Sequence, residues 1–163
     1  MEYLDVINDQ DLIIGKEERD VVHSKHLLHR SVHILISNSQ NEILLQLRKS
    51  TKKQYPLYWS SSVGGHVSSG ESALEAAHKE LREELGIDAD LQFVSKFVID
   101  NEVEHEMVNV FFAKNDGPFS LEKSEMEKVE FFPVNELKKH ALHMTPHCIK
   151  AIDLIINKDL LKL

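Results

Sequence analysis

The sequence has one cysteine, four prolines, six glycines and one tryptophan in 163 residues. The single cysteine, Cys148, excludes an intramolecular disulfide framework and is typical of proteins from a reducing compartment. The chain also lacks an apolar run of membrane-spanning length, and its first residues form neither a basic leader nor an apolar signal core. We therefore expect a cytoplasmic protein that is not inserted in a membrane.

The sequence also has fewer basic than acidic residues. It contains 19 Lys and Arg residues and 27 Asp and Glu residues, which gives a formal net charge of −8. This balance argues against a nucleic-acid polymer or an anionic membrane surface as the main partner. The composition is that of an ordinary globular protein, and the length favours a single domain over residues 1–163. The sequence leaves the oligomeric state open, with a homodimer as one option.

Alternating and apolar runs between turn residues predict a series of short strands. We expect them at Tyr3–Ile7, Leu12–Ile14, Ser31–Ser37, Glu42–Arg48, Leu91–Ile99, Glu104–Ala113 and Val129–Phe132. Helical spacing and capping residues predict helices at Lys16–Lys25, at Glu71–Leu85, at Glu136–Leu142 with Asn135 as N-cap, and from Pro146 onward. This mixture predicts an α/β or α+β fold in which a sheet packs against helices.

The predicted helix over residues 71–85 combines an apolar stripe with an acidic face. At 100° per residue the stripe contains Leu74, Ala77, Leu81 and Leu85. Glu80, Glu83 and Glu84 share the neighbouring face, where like charges three and four residues apart destabilise a helix unless a cation offsets them. Oxygen ligands of this kind suit Mg²⁺ or Mn²⁺, although a solvated acidic face is the simpler alternative.

The stretch from Gly65 to Ile87 resembles the Nudix box, Gly-x5-Glu-x7-Arg-Glu-U-x-Glu-Glu-x-Gly-U, where U is a bulky aliphatic residue. Every fixed position agrees except the arginine, which is Lys79 here and lacks the planar fork of a guanidinium group. The resemblance implies a mixed β-sheet sandwiched between helices and the hydrolysis of a diphosphate linkage. It assigns a divalent metal to Glu80, Glu83 and Glu84, together with the backbone near Gly64, and it implies that Glu71 pairs with Lys79.

A second acidic cluster lies at Glu102-Val-Glu104-His-Glu106. In a strand, Glu104 and Glu106 point to the same face, and their repulsion raises one pKa. The pair could serve as a proton acceptor or as part of a second metal site. Without a family context, ordinary acidic decoration of a surface strand or loop is the better explanation, and beside the box of residues 65–87 the two explanations are about equal.

Several other segments resemble the Nudix branch that includes type 1 isopentenyl-diphosphate isomerase. The resemblance is carried by Leu28-His-Arg30, Ile43–Arg48, Tyr55-Pro56 with Trp59, and Ser62–His66. It implies a second metal site at His29, His66, Glu104 and Glu106, and a diphosphate-binding role for Arg48 and Lys52. Another upstream histidine of that site has its nearest counterpart in His23, which is one residue out of register.

The main departure from the isomerase is at its protonating cysteine, whose position is held by Gly64 here. Moving a carbon–carbon double bond needs a proton donor on one face and an acceptor on the other. Hydrolysis is therefore the favoured activity, on a nucleoside diphosphate linked to another group, with Glu83 or Glu106 taking the proton. An isomerase-like activity and a non-catalytic nucleotide-binding module are the alternatives.

Overall fold

The computed structural model describes residues 1–162 of the chain. Its strands are β1 Tyr3–Ile7, β2 Ile13–Glu18, β3 His29–Ser37, β4 Glu42–Arg48, β5 Trp59–Ser60, β6 Val63–His66, β7 Gln92–Asp100, β8 His105–Lys114 and β9 Met126–Pro133. Its helices are α1 Arg19–Ser24, α2 Ala73–Leu85, α3 Leu137–His140 and α4 Pro146–Asn157. The expected combination of sheet and helices is confirmed.

Strand β3 organises the mixed sheet, which has nine strands within residues 1–162. It runs parallel to β8 over its whole length, with His29 opposite Glu106 and Ser37 opposite Lys114. The same strand pairs antiparallel with β6, β1 and the start of β4. Hairpins β1–β2 and β7–β8 and the antiparallel pairs of β4 with β5 and β9 complete the sheet. This pairing brings residues that are far apart in sequence to the ends of β3, β6 and β8.

The sheet separates two hydrophobic clusters, and alternate residues of β3 contribute to each. Val32, Ile34 and Ile36 pack with α2 through Ala77, Leu81 and Leu85. On the other face, Leu35 of β3 packs with Val108 and Val110 of β8 and with α4 through Ala151, Ile152 and Ile155. In strands, residues two apart share a face, so His33, Ser31 and His29 continue the row of Leu35. The row changes from apolar to polar toward the start of β3, and a cleft opens there.

Several predicted boundaries need correction. Strand β2 is Ile13–Glu18, so the predicted strand Leu12–Ile14 is too short and α1 begins at Arg19 rather than Lys16. Helix α2 begins at Ala73 rather than Glu71, because Ser72 is its N-cap. The predicted N-cap Asn135 lies inside a 3-10 turn, and α3 begins only at Leu137, without a side-chain cap.

Leu74 is not part of the buried stripe of α2, since 46% of its surface is exposed. Both Ala76 and Ala77 are fully buried, so the helix faces the sheet along a line between them. At 100° per residue, Leu74 points within roughly 20° of fully buried Leu85, so its exposure comes from its place in the first turn of α2 rather than from its side of the helix. The last helix begins with Pro146 at its first turn, as predicted. Within residues 1–162, none of the helices has the length and apolarity needed to cross a membrane.

Candidate active site

Helix α2 presents its acidic residues in a fixed orientation because both of its ends are capped. The Ser72 hydroxyl accepts the Glu75 backbone N–H at 3.2 Å, and the Glu75 carboxylate accepts the Ser72 backbone N–H at 2.9 Å, which is a capping box. Gly86 ends the helix in the left-handed region at φ 65°. Between these caps, Glu80, Glu83 and Glu84 line a cleft of about 1030 Å³.

Two of these carboxyl groups are in surroundings that oppose their ionisation. Burial raises the pKa of Glu84 to about 8, and the charge of Glu80 adds to this effect. Burial likewise raises the pKa of Glu80 to about 7. Glu84 is held by Gln46 of β4, whose Nε2 donates to its Oε2 at 3.0 Å. Glu83 is exposed in the cleft. A bound cation would offset this concentration of negative charge.

Strand β6 passes directly against Glu80 at Gly65. A Cβ atom at Gly65 would lie only 2.8 Å from Cγ of Glu80 and closer still to its carboxylate. No side chain fits at this position. Because Gly65 has none, the Glu80 carboxylate lies directly beside the backbone of β6. Carboxylate oxygens beside an exposed backbone form the hard-donor set that Mg²⁺ and Mn²⁺ prefer, so these residues fit such an ion.

Lys79 takes the position of the arginine in the Nudix box and makes the expected ion pair. Its Nζ lies 3.0 Å from Oε2 of Glu71. The same carboxylate oxygen accepts the Ser68 backbone N–H at 3.1 Å. Glu71 therefore connects the loop before α2 to the helix, and a lysine is sufficient for that contact.

A second cleft of about 490 Å³ adjoins the first, and the two share the residues Arg19, Lys52, Gly65 and His66. His29 and Glu106 are opposite each other in the β3–β8 register, and Nε2 of His29 lies 3.8 Å from Oε1 of Glu106. Nε2 of His66 lies 3.9 Å from the same oxygen. Ligand atoms of His23, His29 and His66 all lie within 4.8 Å of one another.

The histidines of this cluster are oriented as metal ligands are. Nδ1 of His29 lies 2.9 Å from the carbonyl oxygen of Leu27, so Nδ1 carries the proton and Nε2 keeps its lone pair. Within residues 1–162, the Nε2 atoms of His23 and His29 are buried without a hydrogen-bond partner. Burial lowers the pKa of His29 to about 4, so the ring is neutral at physiological pH. Neutral imidazoles with free, inward-facing nitrogens fit a divalent metal.

Glu104 lies in the same cleft but makes different contacts from those expected. Its Oε1 lies 2.8 Å from Nδ1 of His147, while Oε2 is near Tyr55 at 3.4 Å and Asn101 at 3.3 Å. Burial opposes its ionisation, but these hydrogen bonds, the one from His147 foremost, outweigh burial and lower the pKa of Glu104. The structure thus places Glu106 beside the three histidines and directs Glu104 toward α4.

The space next to Gly64 is filled by His33. A Cβ atom at Gly64 would lie 2.9 Å from Cε1 of His33, whose ring packs on His147 with centroids 4.1 Å apart. Cys148 is fully buried in the cluster under α4, and burial raises the pKa of its thiol to about 12. In this chain, therefore, His33 occupies the space that a side chain at Gly64 would need, and Cys148 does not face the cleft.

Arg48 and Lys52 line the second cleft, and Lys52 lines the first as well. Arg48 donates from Nε and from a terminal nitrogen to the Gln54 carbonyl, at 3.1 and 2.9 Å, and burial lowers its pKa. Lys52 Nζ makes an ion pair with Glu125. Lys52 is thus anchored where the two clefts meet, and Arg48 is anchored in the second cleft.

The sequence did not single out Gln46 or His147, and it left His23 in doubt. Gln46 is a polar residue within the apolar run of β4, and this feature of the sequence could have indicated a functional role. His147 is in the first turn of α4 and reaches Glu104 only through the tertiary fold. His23 is on helix α1. Its position is one residue away from the one that the isomerase resemblance implies, but its ligand atom still lies within 4.8 Å of those of His29 and His66.

Comparison with known proteins identifies the family of this chain. The profile of the NUDIX domain matches residues 27–150, which is more than half of the chain. A Nudix hydrolase of Yersinia pestis is 29% identical over 161 residues, covering 98% of this chain and 88% of the relative. An isopentenyl-diphosphate Δ-isomerase of Serratia proteamaculans is 38% identical over 125 residues, covering 71% of this chain and 70% of the relative.

The fold is similar to that of a Deinococcus radiodurans protein solved by crystallography, with a TM-score of 0.81, 21% sequence identity, and coverage of 94% of this chain and 99% of that one. The expected resemblance to the isomerase branch and the expected fold are both confirmed. The chain belongs to the Nudix family and is a pyrophosphohydrolase that acts on diphosphate-containing compounds.

Proposed function

We propose that the protein hydrolyses small molecules in which a nucleoside diphosphate is linked to a second group, with Mg²⁺ or Mn²⁺ held by Glu80, Glu83 and Glu84. The observation that carries this proposal is the convergence of these three carboxylates, two of them with raised pKa, beside the bare backbone of Gly65. The backbone around Gly64 and Gly65 completes the oxygen donors. A bound ion would neutralise phosphate oxygens and lower the pKa of the attacking water.

The arrangement of the clefts supports a substrate with a group on each side of the diphosphate. The two clefts meet at Arg19, Lys52, Gly65 and His66. A diphosphate at this junction would lie between the cations and the acidic face of α2, while its two substituents extend into the separate clefts. Arg48 and Lys52 then bind and orient the phosphates.

Two residues are candidates for accepting the proton from water. Glu83 is exposed in the larger cleft, next to Glu80 and Glu84. Glu106 is buried beside the histidines, and burial raises its pKa, which favours proton uptake. Geometry keeps both candidates. Single Glu→Gln variants at the two positions distinguish them when metal binding is measured beside kcat and KM, because loss of the acceptor should reduce kcat, with little change in KM, even where the metal stays bound.

The cluster of His23, His29, His66 and Glu106 would hold a second divalent ion. Three neutral imidazoles and one carboxylate suit a borderline ion such as Zn²⁺, and the harder ion Mn²⁺ would depend more on the carboxylate. In this proposal His23 supplies a ligand in place of Glu104, which the His147 contact holds at 2.8 Å. Glu104 then acts on the cleft by orienting His147.

Isomerase activity is disfavoured by the crowding at Gly64. A side chain there would collide with His33, so the position cannot present a proton donor without rearranging the buried His33–His147 pair. A non-catalytic binding module is disfavoured because the acidic residues of the box are all retained and face a cleft.

The test is phosphate release from a panel of diphosphate compounds, including isopentenyl diphosphate, with Mg²⁺ or Mn²⁺. We expect turnover of a nucleoside diphosphate linked to a second group. We also expect Glu84→Gln to lower kcat by roughly a hundredfold or more, because a metal ligand contributes several kcal/mol to the transition state. Glu75→Gln is the matched control: it is on the same helix, and a glutamine preserves the capping box.

The outcomes separate the three possible functions. Ligand-induced thermal stabilisation without turnover in either the parent or Glu84→Gln would replace the hydrolase with a binding module. Double-bond migration in isopentenyl diphosphate would instead establish the isomerase. Equal activity of Glu84→Gln and Glu75→Gln would remove Glu84 from the metal site.

A further inference from the structure

A separate group of metal-ligating side chains lies outside both clefts. It consists of His26, Asp100 and His105, whose ligand atoms lie within 4.8 Å of one another. Asp100 and His105 are a directly opposed pair at the end of the β7–β8 hairpin. His26 comes from the connection between α1 and β3, and its Nε2 lies 3.0 Å from Oδ1 of Asp100. Two distant segments of the chain therefore contribute to one cluster.

One of the two imidazoles is already oriented as a metal ligand would be. Nδ1 of His105 lies 2.9 Å from the carbonyl oxygen of His26. A carbonyl only accepts, so Nδ1 of His105 carries the proton and Nε2 keeps its lone pair, 3.9 Å from Oδ2 of Asp100. A backbone carbonyl bound to the far ring nitrogen is the usual outer support of a metal-bound histidine.

The two rings are held side by side rather than splayed apart. The rings of His26 and His105 are stacked, with centroids 5.0 Å apart and planes 19° apart. His26 has φ 53°, a left-handed conformation that few non-glycine residues adopt. The backbone N–H of His26 donates to the carbonyl of His23 at 3.2 Å and thereby helps to hold this conformation. The ring of His26 is thus fixed over His105 by the local backbone.

This cluster is on the opposite side of β8 from the active-site cleft. Successive residues of a strand face opposite sides, so His105 points away from the side on which Glu106 meets His29 and His66. The cluster is open to solvent, with 43%, 63% and 24% of the side-chain surface of His26, Asp100 and His105 exposed. An ion can therefore enter it from solvent without passing through either cleft.

We propose that His26, Asp100 and His105 form a peripheral binding site for a borderline divalent transition-metal ion such as Zn²⁺. Two imidazole nitrogens and one carboxylate oxygen are a donor set that Zn²⁺ accepts, with water in the fourth position. Mg²⁺ prefers oxygen donors and binds poorly to such a set. The bound ion joins the α1–β3 connection to the β7–β8 hairpin, the two segments that lead into His29 and Glu106.

The test is a Zn²⁺ titration of the metal-free full-length protein in competition with a chromophoric chelator and in excess Mg²⁺. We expect His105→Asn and Asp100→Asn each to bind one equivalent of Zn²⁺ less than the parent. His78→Asn is the matched control, because His78 forms an exposed pair with Asp88 at 2.8 Å that has no part in this cluster. The control should bind as many equivalents as the parent.

A direct spectroscopic readout guards against misfolded variants and against confusion with the histidines of the cleft. Long-range ¹H–¹⁵N spectra of the parent protein report each imidazole nitrogen separately. Zn²⁺ should shift Nε2 of both His26 and His105, and His105→Asn should abolish the shift at His26 while leaving those at His29 and His66 in place. Equal stoichiometry in all variants, or shifts confined to His23, His29 and His66, would overturn the proposal.

Discussion

At the scale of single residues, the active-site helix keeps carboxyl groups where their charged form is disfavoured. Burial raises the pKa of Glu80 to about 7 and of Glu84 to about 8. Ionisable side chains in such surroundings cost stability, and active sites are where they are expected. Gly65 contributes to the same arrangement. Because it has no side chain, the side chain of Glu80 occupies the space beside its backbone.

Gly65→Ala tests this shared space. The added methyl group would overlap the Glu80 carboxylate and force it out of position, so we expect metal affinity and kcat to fall by about tenfold or more, the cost of a misplaced catalytic group. Mn²⁺ binding followed by electron paramagnetic resonance, together with phosphate release, measures both effects.

Gly15→Ala provides the control for the same chemical change. Its Cβ atom would meet only Val6, at an ordinary contact distance of 3.8 Å, and Gly15 lines neither cleft. We expect metal binding by Gly15→Ala to equal that of the parent. Undiminished Mn²⁺ affinity in Gly65→Ala would show that Glu80 can move without loss and is not a required ligand.

At the scale of the secondary-structure elements, α2 does two things at once. Its apolar side anchors it to the sheet through Ala77, Leu81 and Leu85, and its acidic side faces the cleft. The capping box at Ser72 fixes where the helix starts and hence which residues face which way. The strength of that cap should therefore be visible in the stability of the whole fold.

Ser72→Ala should destabilise the protein by about 1 kcal/mol, because the helix loses the hydroxyl that accepts the Glu75 backbone N–H. Equilibrium denaturation in urea measures the change, with Ser120→Ala as the control for the same substitution at an exposed loop serine. A loss of less than a few tenths of a kcal/mol would mean that packing against the sheet, rather than the cap, fixes the start of α2.

Local sequence patterns predicted most of the elements, but not the short strands β5 and β6, and they predicted less of the site. The spacing of α2 predicted the helix and its acidic face, and it misassigned only Leu74, which is exposed because it lies in the first turn of the helix. The contact between Glu104 and His147 joins residues 43 positions apart. No periodicity encodes such a pairing, since it arises only when α4 packs beneath the sheet. The roles of Arg48, Lys52 and the individual glutamates stay predictions until they are tested.

At the scale of the whole molecule, the sheet connects the acidic site to the core beneath α4. The carboxylates of α2 pack on one face of the sheet, and Cys148 lies in the cluster on the other face, with none of its surface exposed. Burial raises the pKa of the Cys148 thiol to about 12, so the reactive thiolate is scarce in the native state. Thiol reagents should therefore reach Cys148 only when the core opens.

We expect Cys148 in the native protein to react with a thiol reagent such as 5,5′-dithiobis(2-nitrobenzoate) far more slowly than in the unfolded protein. We also expect Mg²⁺ or Mn²⁺ to slow the reaction further. Because the ion binds only the folded state, it reduces the unfolded population even though Cys148 lies across the sheet from the ion. In Glu84→Gln the metal should no longer slow labelling, whereas in Glu75→Gln it should act as in the parent. Rapid labelling in native buffer, with or without metal, would instead show that α4 opens locally and independently of the site.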